Sequence, residues 1–280
     1  MDSKLKADLH IHTNYSDGIH TPRKILTLAA KKDLSIISIT DHDTIFGCAE
    51  AIELAPEFNI EVIPGVELST YFDNDEIHLL AYLFDMNSPA FTSLLDTLYD
   101  GRLHRARRIC KRLTIIGIDI SIEEVLEVSG SSAVGRPHIA SVLVKKGFAK
   151  NFHDAFNKYL AKDSPCYVAK ENLRTYDAIK AVHDAGGVSF VAHPGMIDET
   201  ILKKLVRGGL NGVEVIHPSL KARHTRDLKK FVKSYELLES GGSDYHGGNR
   251  NDNSNFGAYF INTMHVSKMK KFLSSGIHEE

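Results

Sequence analysis

Tryptophan is absent from the 280-residue chain, and cysteine occurs only as Cys48, Cys110 and Cys166. The three lie far apart and form no C-x-x-C pair, which argues against a disulfide framework and a thiolate zinc site. Charge of one sign is missing too: 34 Lys and Arg against 36 Asp and Glu leave a formal charge of -2. Net charge therefore signals no polyanion partner, although a local basic stripe stays open. No apolar run approaches the roughly 18 residues of a membrane span and no secretory leader precedes Leu5, so a cytoplasmic protein without membrane contact is expected. There is no internal repeat and no low-complexity stretch. With 42 % hydrophobic residues, the chain is long enough for one large domain, or a barrel-sized one with a small addition. Histidine stands out, at 15 residues, several at the ends of strand-like segments.

Asp8 to Gly18 reads D-L-H-I-H-T-N-Y-S-D-G. Period-two alternation from Leu5 to Thr13 predicts a strand with His10 and His12 on one face and Leu9 and Ile11 on the other. Two imidazoles so spaced point the same way and can share a metal ion. Asp8, on their face, is expected to orient an imidazole, and Asp17 follows in the S-D-G turn.

Thr21-Pro22 has the form of a helix start. A second, buried strand, S-I-I-S-I-T, delivers Asp41, His42 and Asp43, and a helix from about Phe46 to Leu54 follows. The third strand, I-E-V-I-P-G-V-E-L, is interrupted at Pro64-Gly65 with Glu67 beyond; the next, E-I-H-L-L-A-Y-L-F, carries His78. This alternation predicts an α/β fold with parallel strands. The rhythm breaks after Asp85. Helical patterns through Leu95 to Leu113, Ile122 to Val128, Pro137 to Val144 and Phe148 to Leu160 predict a small inserted helical subdomain. Alternation then resumes, with His193 ending V-S-F-V-A-H, His217 following G-V-E-V-I, and Asp244 and His246 in G-S-D-Y-H-G. The expected division is 1–86 and 171–280 as two parts of one α/β unit, with 87–170 inserted. About seven strands of a barrel would gather their C-terminal ends, where barrel active sites are built. Residues 247 to 255, rich in Gly and Asn, are expected to form a surface loop near that site.

Imidazoles and carboxylates without thiolates suit zinc, manganese or iron. His10, His12, Asp17, His42, Glu67, His78, His193, Asp244 and His246 are too many for one four-coordinate ion, so two or three divalent ions are expected. Such ions about 3.5 to 4 Å apart clamp the attacking and leaving oxygens at phosphorus, which predicts phosphate-ester hydrolysis. Amide or ring hydrolysis on a comparable barrel is the competitor. Phosphate also needs fixed positive charge. Gly135-Arg136-Pro137-His138, at an expected helix start, can present Arg136 to phosphoryl oxygens and His138 to the leaving group or a phosphate. Alternatively, Arg136 ties the insertion to a barrel carboxylate. Arg102, Arg105, Arg107 and Arg108 form a basic helical patch, suited to steering a nucleotide or equally to being a solvated face. His217 is expected to contact substrate or to organise the ligands.

These residues resemble the PHP domain family, named for polymerases and histidinol phosphatase. The matching pieces are D-L-H-I-H with S-D-G, T-D-H-D at 40 to 43, P-G-V-E-L at 64 to 68 and I-H-L-L-A-Y at 77 to 82. G-R-P-H at 135 to 138, A-H-P-G at 192 to 195 and G-S-D-Y-H-G at 242 to 247 complete the set, in family order across nearly the whole chain. The resemblance implies a distorted (β/α)7 barrel of PHP type with the helical insertion, and a trinuclear metal centre. In it His10, His12, Glu67 and Asp244 look like ligands of the first ion, Glu67, His78 and His193 of the second, and Asp17, His42 and His246 of the third. Some relatives carry histidine where this chain has Asp17. Asp8 and Asp41 are expected just outside the ligands.

G-R-P-H within a helical insertion looks like the branch of small, free-standing phosphoesterases related to bacterial 3',5'-nucleotide bisphosphate phosphatase, some of which trim short RNAs from the 5' end. Arg136 and His138 match positions which that branch uses around the substrate phosphate; His217 departs from an expected aromatic residue. The implied activity is metal-dependent hydrolysis of a phosphomonoester of a small nucleotide, a nucleoside 3',5'-bisphosphate or monophosphate. Arg136 offsets charge on the phosphoryl group, and His138, or a water held by His246, protonates the leaving group. The alternatives are a 5'-to-3' exonuclease on short RNA or DNA and, from another class, a non-catalytic phosphate-ligand binding module. No obligate protein partner is evident.

Overall fold

The strand-forming runs pair into two sheets. The computed structural model describes residues 5–73, 75–130, 132–169, 173–195, 197–248 and 250–276. Its strands are β1 (Lys6–Ile11), β2 (Leu34–Ile39), β3 (Glu61–Val62), β4 (Gly65–Phe72), β5 (Asp75–Tyr82), β6 (Val188–Val191), β7 (Gly212–Ile216), β8 (Leu238–Gly241) and β9 (Ile261–Asn262). One sheet has the order β3-β2-β1-β9 and the other runs β4 to β8 in chain order. The helices are α1 (Pro22–Lys31), α2 (Phe46–Leu54), α3 (Pro89–Ile115), α4 (Ile122–Ser129), α5 (Arg136–Lys145), α6 (Phe152–Ala155), α7 (Thr175–Asp184), α8 (Glu199–Arg207), α9 (Ala222–Ser234) and α10 (Met264–Ser274). The fold is mixed α/β. None of the described helices is long and apolar enough to cross a membrane.

The interruption at Pro64-Gly65 is where the chain changes sheets. Proline has no N–H to extend a ladder, so β3 stops at Val62 and β4 begins at Gly65 in the other sheet. The expectation of parallel strands throughout is corrected here. β5 runs antiparallel to both β4 and β6, whereas β1-β2-β3 and β6-β7-β8 are parallel. The connection from Phe72 to Asp75 is too short for a crossover helix, and a short connection forces an antiparallel pair. The two sheets meet through the isolated pairs Ile11–Tyr245 and His42–Glu67, and the described ladders close no barrel. Around those pairs His12 N–H donates to Tyr245 O (2.9 Å), Asp244 N–H to His10 O (2.8 Å) and Asp43 N–H to Glu67 O (3.0 Å). Main chain thus joins the sheets at the end that carries the histidines.

Between the sheets lie Leu9, Ile36, Leu80, Tyr82 and Phe190. The Tyr82 hydroxyl donates to Leu9 O at 2.8 Å, tying β5 to β1 from inside. Leu9 and Ile11, expected on one face, part company: Leu9 joins this inner layer, while Ile11 packs with Ile25, Ile37 and Ile39 under α1 and α2. The β1–β2 register shifts between Asp8 and Ile11, and such an irregularity re-aims a side chain. The start of α1 follows the sequence, with Thr21 accepting the Lys24 N–H and Pro22 in the first turn.

The helical segment has its own apolar cluster, drawn from residues 106 to 168, with Ile109, Leu113, Val125, Leu143 and Leu160 at its centre. The front of α3 belongs elsewhere, since Phe91 and Leu95 pack in the cluster of the second sheet. One long helix therefore joins both cores. The helix expected from Phe148 starts only at Phe152, because the Asn151 side chain caps it by accepting the Asp154 N–H (2.9 Å).

Gly242, just past β8, is what lets Asp244 approach β1. A Cβ there would lie 2.4 Å from His10 N and 2.6 Å from His10 Cβ. Gly242→Ala is expected to destabilise the fold by about 1–3 kcal/mol through overpacking, read as a lower urea midpoint with an unchanged m-value.

Candidate metal centre

Glu67, the third residue of β4, is 1 % exposed and faces five imidazoles. Its Oε2 lies 3.4 Å from His10 Nε2, 3.2 Å from His12 Nε2 and 3.1 Å from His42 Nδ1. Its Oε1 lies 2.9 Å from His78 Nδ1 and 3.0 Å from His193 Nε2. Asp244 Oδ1 sits 3.3 Å from His10 Nε2 and 3.1 Å from His12 Nε2. Asp17 Oδ1 is 3.4 Å from His246 Nε2, and its Oδ2 is 3.7 Å from His42 Nε2. All nine expected ligand side chains are thus gathered at one end of the sheets. Glu67 departs from the strand-end pattern, lying within β4, and His78 lies in the first half of β5.

The donor set fits metal ions. His10 Nε2, His12 Nε2, His42 Nδ1 and His246 Nε2 are buried without a hydrogen-bond partner, and all four face carboxylates. Groups with ligand atoms within 4.8 Å of one another are His12-Asp17-His42-His246, His10-His12-Glu67, His10-His217-Asp244 and His42-Glu67-His78. Burial pushes the Glu67, Asp17 and Asp244 carboxyls up, but neighbouring imidazoles, joined at Asp17 by Arg250, outweigh it and hold all three well below the carboxylate range. Among the rings, burial drives His42 down, whereas Asp244, Glu67 and Asp17 overcome burial and push His12 up to about 10. Three carboxylates, Glu67 buried and Asp17 and Asp244 partly exposed, converge here beside imidazoles, and divalent cations would meet their charge.

Three of the rings, His10, His12 and His246, are aimed by their other nitrogen. Glu214 Oε1 is 2.9 Å from His10 Nδ1, leaving His10 Nε2 for the centre, and its Oε2 accepts the His193 N–H at 2.6 Å. His246 Nδ1 donates to Asp244 O (2.8 Å). Asp41 accepts from Thr13 N–H, Thr13 Oγ1 and Ser16 Oγ at 2.6–2.7 Å, and Ser16 Oγ lies 3.4 Å from His12 Nδ1. Asp41 therefore acts on His12 through Ser16. Asp8 departs from the expectation that it orients an imidazole: it accepts the Ser243 N–H (2.9 Å) and lies 3.4 Å from the His10 N–H, holding main chain. Glu214, an acid in the apolar strand G-V-E-V-I, is the residue that sequence reasoning missed, and that placement was its signal. His193 and Asp244 have φ of 31° and 49°, left-handed conformations that non-glycine residues hold where surrounding contacts over-determine them.

His217 accepts the Ser219 N–H at Nδ1 (3.1 Å), which puts the proton of a neutral ring on Nε2, 3.2 Å from Asp244 Oδ2. It lies 6 % exposed outside the cavity lining, so of its two expected roles the structure favours organising a ligand over touching substrate. His138 also departs from expectation. Its Nδ1 accepts the Gly135 N–H (3.0 Å) and its Nε2 faces Ser132 Oγ (3.3 Å), so both nitrogens are engaged by the loop that leads into α5. The arginine patch splits by helical position: Arg102 and Arg105 turn inward, while Arg107 and Arg108 are exposed. Asp43, φ 55°, holds Arg102 by accepting its Nε–H at 2.7 Å. A cavity of about 740 Å³ brings Asp17, His42 and His78 opposite Arg102, Arg105 and Arg136.

The PHP domain profile matches residues 8–208. The 5'-3' exoribonuclease Rnm of Salmonella typhimurium is 34 % identical over 85 % of this chain and 84 % of its own length. The 3',5'-nucleoside bisphosphate phosphatase of Chromobacterium violaceum is 31 % identical over 85 % and 86 %. A crystal structure described as a metal-dependent phosphoesterase from Bifidobacterium adolescentis superposes with a TM-score of 0.88 at 29 % identity, covering 96 % of each chain. The chain belongs to the PHP domain family.

Because Glu214 aims His10 and the His193 main chain together, Glu214→Gln is expected to weaken metal affinity about 10–100-fold with the fold retained. Competitive titration against a metal-binding dye reads this without assaying activity; unchanged affinity would remove Glu214 from the centre.

Proposed function

We propose that this PHP-family chain is a metal-dependent phosphoesterase that hydrolyses a phosphomonoester of a small nucleotide, such as a nucleoside 3',5'-bisphosphate or monophosphate. The observation that carries the reading is the arginine-lined cavity set against Asp17, His42 and His78. Arg105 is buried with Nη2 unpartnered, and Arg136 spends one nitrogen on Leu160 O (3.3 Å) and lies 3.7 Å from Glu76. Both keep N–H donors for phosphoryl oxygens, in the fork geometry that suits them. The cavity is also within the size range of small-molecule sites. Two of the relatives are named for reactions on nucleotides or RNA.

The reading assigns two or three divalent ions, manganese, iron or zinc. His10, His12, Glu67 and Asp244 hold the first; Glu67, His78 and His193 the second; Asp17, His42 and His246 the third. When bound, the ions supply Lewis acidity and an acidified water for attack at phosphorus. The remaining work belongs to the chain. Glu214, Asp41 and His217 keep the donors aimed, and Arg105 and Arg136 offset charge on the phosphoryl oxygens. With both nitrogens of His138 engaged, the proton for the leaving oxygen is assigned to solvent at the His246 end, and His138 shapes the wall.

The finer architecture in this reading is a distorted (β/α)7 barrel with 87–170 inserted between 1–86 and 171–280. The Ile11–Tyr245 and His42–Glu67 pairs support closure at the metal end. A cytoplasmic setting is part of the reading, since Cys48, Cys110 and Cys166 are buried free thiols. A second reading, trimming of short oligonucleotides from the 5' end, is favoured by continuation of the cavity past Arg250 into a neighbouring chamber.

The test is phosphate release by protein loaded with manganese, iron(II) or zinc, on adenosine 3',5'-bisphosphate, AMP, histidinol phosphate and a 5'-phosphorylated trinucleotide. The bisphosphate is expected to be preferred, with trinucleotide product ladders reporting the second reading. Silence on the whole panel with metal bound would sink the proposal. Arg136→Ala is expected to lower kcat/KM about 10–100-fold, the worth of a charge-assisted hydrogen bond. Its metal content should stay that of the wild type.

A further inference from the structure

Beside the first cavity lies a second of about 590 Å³, between the Asn14–Ile19 turn and helices α4, α5 and α6. The two share Asp17, Pro137, Phe152 and Arg250 as a common wall. We infer that this second chamber is a subsite for the base of a second nucleotide, joined to the first across the phosphate at the metal centre. The inference rests on the phosphoesterase reading above and names where a longer substrate would go.

Three features carry it. Of the nine large apolar side chains exposed among the described residues, Ile19 (46 %), Val128 (38 %) and Phe152 (39 %) line this one chamber. Scattered apolar residues need no explanation, but apolar surface gathered around one cleft marks a binding site. Beside Pro137 the lining carries polar side chains: Asn14, whose Oδ1 is buried with no hydrogen-bond partner, with Ser132 and His138 nearby. A base has a flat face to stack on a ring such as Phe152 and an edge of donors for an acceptor such as Asn14 Oδ1. Third, the junction holds a cation. Arg250 pairs with Asp17 Oδ2 and borders both chambers, where a linking phosphate would pass. An apolar rim, an unused acceptor and a cation at the junction match a nucleotide better than a lipid or an acidic peptide. The insertion supplies one wall, so this chamber exists only because the helices are there.

The test compares metal-loaded protein binding three uncleavable phosphonate ligands: a 5'-phosphorylated mononucleotide, the matching dinucleotide, and that dinucleotide without its second base. Stacking of one base predicts about tenfold tighter binding of the dinucleotide than of the mononucleotide, lost in the abasic form. Ser141→Tyr, an exposed α5 position that borders only the second chamber, should erase the gain and leave mononucleotide affinity within about twofold. Equal wild-type affinities, a gain kept by the abasic ligand, a gain kept by folded Ser141→Tyr, or no binding of any ligand would each overturn the subsite. Turnover of cleavable mononucleotide is measured alongside. A tenfold base-dependent gain without phosphate release would leave the subsite standing and remove the phosphoesterase reading; release without the gain would do the reverse.

Discussion

A carboxylate sealed from water among imidazoles is costly unless its charge is met, and Glu67 is placed so that both oxygens are used. Its partners come from β1, from the turn after β2, from β5 and from the turn after β6, so both sheets must be in register before Glu67 is satisfied. The main-chain pairs His42–Glu67 and Ile11–Tyr245 hold that register at the same end. With Asp17 and Asp244 alongside, the cluster favours bound cations over bare charge. Metal binding and folding should therefore be strongly linked, as they are wherever a preformed site is absent from the unfolded chain.

Around that centre, the orientation of the ligands is set by side chains outside the cavity lining. Glu214 selects which nitrogen of His10 is left free, Asp41 works through Ser16 on His12, and His217 braces Asp244. These contacts set ring orientation, so the donors meet an ion without first losing rotamer freedom. The opposite wall comes from helices α3 and α5, which contribute Arg102, Arg105 and Arg136, with Asp43 reaching across to fix Arg102. One part thus supplies negative ligands and the other positive charge, the complementarity that phosphate transfer requires. Two relatives with different names, an exoribonuclease and a bisphosphate phosphatase, share most of this chain's length.

Much of this was legible in the residues, for reasons that are local. Strand periodicity put His10 and His12 on one face, and both reach Glu67. Thr21-Pro22 signalled the start of α1, and Pro64-Gly65 the end of β3, because capping and the missing proline N–H act within a few residues. Local pattern was read too coarsely elsewhere. Four arginines close in sequence read as one patch, although helical geometry turns Arg102 and Arg105 away from Arg107 and Arg108.

The inventory is local: which donors, on which kind of element, with which caps and breaks, all follow from residue type and from spacings of two or 3.6. Tertiary structure alone decided pairing and role. β5 pairs with β6 across the whole helical segment, and Glu214 and His217 meet residues some 200 and 30 positions away, His10 and Asp244. Such contacts depend on how two sheets close upon each other, and no local rule encodes the distance between residues that only the folded chain brings together.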